Sequence, residues 1–189
     1  DVPMKTGSPY EIHRCVDPAM HFTRQLLKEQ IRQGMKCLST ESLWHRFAAP
    51  LHELSDEQLE YLTDLDGHDR VAWCAVTVED GEYRGIGLSR YIRLPDKNDY
   101  AEFAVTVIDA FQGRGIGRAL LEKLIESARE NGIRRLRGYV LPGNKRMLEL
   151  CRHLQADVGR DDAFMCVELP VEPPEEKRTG SPSPAEWNE

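Results

Sequence analysis

Long apolar runs are missing from this chain of 189 residues. No stretch reaches the roughly 18 apolar residues that a membrane-crossing helix needs, and the first residues lack the basic, apolar and small-residue pattern of a secretory leader. Cysteine is sparse and scattered (Cys15, Cys37, Cys74, Cys151, Cys166), with no Cys-x-x-Cys pair and no Cys/His spacing suited to zinc. Neither a disulfide framework nor a metal is therefore expected, and reduced thiols in a cytoplasmic protein fit best. Positive charge is in the minority: 25 Lys and Arg face 32 Asp and Glu, a formal net charge of −7. That balance argues against a broad surface that coats nucleic acid. A chain of this length buries about two thirds of its unfolded surface, enough for one core without a covalent staple.

What is present is a clear change of period along the chain. Tyr10 to Val16 reads as a short strand, and Asp17-Pro18 as a helix start, because Asp accepts from a free backbone N–H and Pro loses nothing at the first helical position. Phe22, Leu26, Leu27, Ile31 and Met35 then follow at helical spacing. A second helix is expected over Glu41 to Phe47, closed by Pro50, and a third over Asp56 to Leu62 behind the capping box Ser55-Asp-Glu-Gln58. Strands are expected at Val71 to Val78 and Tyr83 to Leu94, joined by Asp80-Gly81, and at Tyr100 to Ile108 after a polar loop from Pro95 to Asp99. An amphipathic helix built on Ile116, Leu120, Leu124 and Ala128 stops at Asn131-Gly132. A strand (Arg135 to Leu141), a helix (Asn144 to Leu154) and a last strand (Ala163 to Leu169) complete a mixed-sheet α/β (α+β) domain over residues 10–169. Five of the eleven prolines fall in residues 170–189 beside Ser, Gly and Glu, so a disordered tail is expected there, with a loose stretch over residues 1–9.

Between the third strand and the amphipathic helix lies the run Gln112-Gly113-Arg114-Gly115-Ile116-Gly117-Arg118. Glycines let backbone N–H groups approach an anion, a helix N-terminus adds unpaired donors and partial positive charge, and two arginines reinforce the field. A diphosphate is the natural guest. The run is not a Walker loop, which needs Gly-x-x-x-x-Gly-Lys-Ser/Thr, and not a dinucleotide fingerprint, which needs Gly-x-Gly-x-x-Gly and an acidic residue about 20 positions on.

The run resembles the Gln/Arg-x-x-Gly-x-Gly/Ala signature of the GNAT N-acetyltransferases, and the flanking strand, the helix and Asn144 follow that family's order. The resemblance implies a GNAT fold whose mostly antiparallel sheet splays at a cofactor cleft, and acetyl-CoA as co-substrate. It places the backbone of the strand Val105, Thr106 and Val107 along the pantetheine arm, and Gln112, Gly113, Arg114, Gly115, Ile116, Gly117 and Arg118 around the pyrophosphate. Asn144 would meet the thiol end. Dimers are common in the family. Ala101-Glu102-Phe103-Ala104-Val105 and Gly143-Asn144-Lys-Arg-Met147-Leu148 look most like the bacterial Pat-type protein lysine acetyltransferases, in which a glutamate at the position of Glu102 is the proposed base.

Acetyl transfer to an amine requires the amine to be neutral, so a base near the thioester is wanted. Glu102 stands in an apolar run, where partial burial would lift its pKa towards a useful value. Many family members have a tyrosine seven residues after the asparagine as acid for the leaving thiolate. Here that position is Cys151, better suited to a buried helix site, while Tyr139 and Tyr91 are alternative donors. The acidic set Glu41, Asp56, Glu57, Glu60, Asp64, Asp66 and Asp69 would bias an acceptor wall towards a lysine or polyamine, although a solvated surface explains the same charges. A protein lysine is the leading acceptor. A small amine such as a polyamine, amino acid or aminoglycoside, or a catalytically silent acyl-CoA-binding module, remains open.

Overall fold

The computed structural model describes residues 10–15, 23–49, 51 and 53–171. The expected loose N-terminus, the helix start at Asp17-Pro18, Phe22, Pro50 and all of the expected tail beyond Val171 lie outside the described residues.

The order is β1 (Glu11–Arg14), α1 (Arg24–Lys36), α2 (Thr40–Phe47), α3 (Asp56–Thr63), β2 (Arg70–Glu79), β3 (Glu82–Leu94), β4 (Lys97–Val107), α4 (Ile116–Glu130), β5 (Arg135–Val140), α5 (Lys145–His153), β6 (Asp157–Asp161) and β7 (Phe164–Pro170). Each of the first three helices starts on a side-chain cap. Thr23, Ser39 and Ser55 accept from the backbone N–H of Leu26, Ser42 and Gln58, and the Gln58 side chain returns the bond to Ser55.

The strands form one seven-stranded sheet in the order β1-β2-β3-β4-β5-β7-β6. All pairs are antiparallel except β4 with β5. Two elements depart from the sequence expectation. The polar segment after Pro95 is not a loop, because Lys97 already pairs with Leu94 across a tight connection and opens β4. The hairpin strand β6 has no apolar period to announce it: Asp157, Gly159, Arg160 and Asp161 are exposed at the sheet edge, and its pairing with β7 is what makes it a strand.

Side-chain alternation splits the sheet into two covered faces. On one, Trp73 donates its indole N–H to Ser127 at 2.9 Å and Ser89 donates to the Leu120 carbonyl at 3.1 Å, both on α4. The Leu120, Leu121 and Leu124 side chains there are fully buried, each stabilising the fold by roughly 1.5–3 kcal/mol. On the other face Ala72, Cys74 and Val76 pack with Leu27 of α1. The last strand runs past the expected boundary at residue 169. Pro170 pairs with Arg135, and the buried Val171 donates to the Arg134 carbonyl at 3.1 Å and accepts from Arg129 at 2.8 Å. Packing therefore extends at least to Val171.

Parallel pairing of β4 with β5 covers only Tyr100↔Arg135, Ala101↔Leu136 and Glu102↔Arg137. Past that point the strands diverge. A Cβ added at Gly138, the next residue of β5, would lie 2.7 Å from the Phe103 ring, so the ring occupies the place where a side chain would stand. Gly138→Ala is expected to destabilise the fold by about 1–3 kcal/mol through overpacking. Urea unfolding checks this, and a change below about 0.5 kcal/mol would show that the ring yields freely.

Candidate active site

Antiparallel strands bond through alternate residues. The Ile108 N–H donates to the Ile86 carbonyl at 3.0 Å, and in the β3–β4 register this gives Glu102, Ala104 and Thr106 the bonds to β3. The backbone groups of Phe103, Val105 and Val107 then point towards β5; the Glu102↔Arg137 pairing engages the Phe103 N–H, and beyond it β5 no longer pairs with β4. A line of open donors and acceptors runs down β4 for this reason. Thr106 spends its backbone on β3, and its side chain faces the α1 side of the sheet with Leu88.

This open edge leads into the glycine run. Gly113 and Gly115 adopt left-handed conformations, φ +74° and +82°, which side chains resist. Gly115 is the N-cap of α4 and offers no side-chain bond. Among the described residues, none of the backbone N–H groups from Gly113 to Arg118 has an acceptor. The free donors and the positive helix end together make an anion cradle. Ile116 anchors it with a side chain only 1% exposed, so it can contribute through its backbone alone. Arg114 and Arg118 are exposed, resting respectively on the Phe111 ring at 4.9 Å and on Glu122 at 2.8 Å.

Gln112 has a different task from its neighbours. Its side-chain amide donates to the Val107 carbonyl at 3.0 Å and to the Ser42 hydroxyl at 3.2 Å, tying the loop to β4 and to α2. Asp109 strengthens the tie by accepting from the Ser39 N–H at 3.1 Å. Burial works to raise the Asp109 pKa, but the bonds from Ser39 and Ser42 prevail and hold the carboxyl below its usual range.

The open edge, the loop and the gap between β4 and β5 merge into one cleft of about 850 Å³. Glu102, Val105, Thr106, Val107, Gln112, Gly117 and Asn144 all border it, whereas Gly113, Arg114, Gly115, Ile116 and Arg118 stand outside its lining. Glu102 is exposed there rather than sheltered. Its apolar neighbours Ala101 and Phe103 turn to the opposite face by strand alternation and are themselves buried. Two guanidiniums that the sequence does not announce, Arg46 of α2 and Arg90 of β3, lie within electrostatic reach of Glu102. Burial, with repulsion from Arg90, lowers Arg46 to about 10. By accessible surface Arg46 is only half-buried, and we read its guanidinium as hemmed in at the edge of the cleft. Burial also lowers Arg90, which lies under the Tyr61 ring at 5.2 Å.

Asn144 caps α5, its Oδ1 accepting from the Met147 N–H at 3.2 Å, which leaves the side-chain NH₂ for the cleft. The three candidate acids separate cleanly. Tyr139 lines the cleft and is 44% exposed. Tyr91 is buried elsewhere, donating to the His68 carbonyl at 3.0 Å and accepting from Asn131 at 2.8 Å. Cys151 is buried among the core residues, and burial pushes its thiol up to about 11.

The expected acidic acceptor wall is largely neutralised. Glu60 pairs with Lys28 and Arg24, Asp64 with Arg70, Asp56 with Arg32 at 2.9 Å and Asp69 with Arg93 at 2.6 Å. Asp66 accepts from three backbone N–H groups, each at 2.8 Å. Of that set only Glu41 lines the cleft.

A strand edge left by its neighbour continues into an uncapped glycine helix start, and together they form one cleft with an anion cradle at its end. The acetyltransferase (GNAT) family model matches residues 36–155, and the chain belongs to that family. Its relatives include an acetyltransferase of Pseudomonas aeruginosa, 36% identical over 124 residues, which are 66% of each chain. Another is the acetyltransferase Pat of Mycolicibacterium smegmatis, 34% identical over 146 residues, 77% of this chain but 43% of that one. The chain thus spans less than half of that relative's length. Among solved structures, the GNAT domain of the PAT protein of S. lividans superposes with a TM-score of 0.72 at 30% identity, covering 85% of this chain and 90% of that one.

The burial of Cys151 sets a chemical expectation. With a pKa of about 11, only about 0.1% of it is thiolate at pH 8, because burial favours the neutral form. Alkylation followed by mass spectrometry at pH 8 should find it more than about a hundredfold slower than a free thiol. Rapid labelling of Cys151 in the folded protein would contradict this packing.

Proposed function

We propose that the protein transfers the acetyl group of acetyl-CoA directly to an amine, and that the amine is the side chain of a protein lysine. The open β4 edge running into the unpaired N–H groups of α4 carries this reading, since it offers bonds to a pantetheine amide chain and a cradle to a diphosphate in one line. The volume of about 850 Å³ falls within the range usual for a ligand cleft. The backbones of Val105 and Val107 would hold the pantetheine arm, the stretch Gln112 to Arg118 the pyrophosphate, and the Asn144 NH₂ the thiol end.

Acetyl-CoA supplies a thioester carbonyl: the amine nitrogen bonds to the carbonyl carbon, the C–S bond breaks, and CoA leaves as a thiolate whose modest basicity lets it depart into water. Glu102 takes the proton that the incoming ammonium must lose. Arg46 and Arg90 assist by position, since cations beside Glu102 disfavour a second cation and so favour the neutral amine. The likeness to the Pat proteins supports a lysine acceptor.

Three measurements test this. Titration calorimetry should show acetyl-CoA binding that Gly115→Glu abolishes, because a carboxylate replaces open space in an anion cradle; absent binding, or binding indifferent to that change, rejects the proposal. In cell lysate given labelled acetyl-CoA, label should enter protein rather than small metabolites. With the labelled protein as acceptor, Glu102→Gln should lower the rate by about 10²–10⁴-fold and flatten its rise with pH. An unchanged profile removes Glu102 as the base.

A further inference from the structure

A second cavity, of about 80 Å³, lies beneath α1 and the end of α2, and the mechanism above makes no use of it. Leu27, Ile31 and Leu38 line it from the helical side, Val76 and Leu88 from the sheet. Arg46, Phe47 and Thr106 border both this cavity and the large cleft, forming a common wall. The cavity is a recess partly open to its surroundings, and its lining is mostly apolar. Here the lining itself keeps the space open: Gly34 of α1 borders it, and a Cβ added there would meet nothing within 4 Å. A glycine inside a helix is less stable than alanine, so helix formation does not account for it.

We propose that this cavity is an acyl-chain subsite, through which the protein accepts acyl-CoA donors longer than acetyl. The proposal rests on the acyl-transfer reading above. Thr106 stands on β4 between the two residues whose backbones would hold the pantetheine arm, and its side chain turns to the cavity face with Leu88. An ammonium would find no partner for its charge in an apolar chamber, whereas an alkyl chain needs none. The space suits a short alkyl chain, such as butyryl or isovaleryl carries beyond acetyl, rather than a long acyl tail. Arg46 guards the passage. Among the described residues no carboxylate lies within ion-pair distance of it, and it leans on Phe47 at 4.8 Å, so a flexible side chain is what has to move. The transfer step is unchanged: the N–C bond forms as the C–S bond breaks, and only the chain on the carbonyl carbon differs.

Calorimetry of the full chain with acetyl-CoA and with butyryl-CoA tests this. Butyryl-CoA should bind at least as tightly as acetyl-CoA. Gly34→Leu, which fills the chamber, should weaken butyryl-CoA by about tenfold or more and leave acetyl-CoA within about twofold. Ile31→Phe, filling the chamber from the same helix, serves if Gly34→Leu does not fold. Weaker binding of butyryl-CoA than of acetyl-CoA overturns the subsite, as does a filled variant that shifts both thioesters alike or shifts neither while raising Tm. In those cases the acetyl reading stands. Failure of both thioesters to bind overturns the reading beneath it.

Discussion

The divergence of β5 from β4 after Glu102 and Arg137 is the constraint on which the rest of the site depends. A backbone deprived of its neighbour must satisfy its polar groups elsewhere, and on β4 those groups belong to alternate residues, Phe103, Val105 and Val107. One of them already has a stand-in, the Gln112 amide on the Val107 carbonyl. The Phe103 N–H is still engaged by the last β4–β5 pair, and the groups of Val105 face a cleft that water or a ligand amide can fill. The Phe103 ring is seated over Gly138 where the pairing stops, and a side chain at that position of β5 would displace it.

Polar contacts then bind the two walls of the cleft together. Asp109 and Gln112, from the turn that leads to the anion cradle, hold Ser39 and Ser42 at the start of α2, and α2 in turn carries Arg46 at its far end beside Glu102. A single short helix thus connects the turn before the glycine run to the surroundings of the Glu102 carboxylate. The acidic residues of α3 and of the loop before β2 serve a separate purpose. Their pairing with Arg24, Lys28, Arg32, Arg70 and Arg93 fastens the helical layer rather than charging an acceptor surface.

Much of this was legible in the sequence where a local rule carries the information. Glycine spacing announces an anion cradle because left-handed φ values and free N–H groups are local properties, and Ser55 announces its helix through a bond to its own first turn. Alternation along Tyr100 to Ile108 gave the right strand, yet reading Glu102 as sheltered failed, since the apolar neighbours that suggested shelter point through the sheet to its other side. Arg46 and Arg90 carry no local signature. A cation on a helix end or in a strand is usually solvated, and only tertiary packing brings these two beside one carboxylate. The edge strand β6 was illegible for a similar reason: its bonds to β7 are the whole of its cause.

The Gln112 amide bears on how the two parts of the cleft are held together. Because its two N–H groups span β4 and α2, the residue from which the glycine run begins is also a mechanical joint. Ser42 is thereby coupled to the glycine run, and a change at that serine is felt in the loop as well as in α2. With the Ser39–Asp109 bond beside it, the helical layer is fixed to the glycine run at two adjacent points on the first turn of α2, so that the two parts of the cleft move as one body.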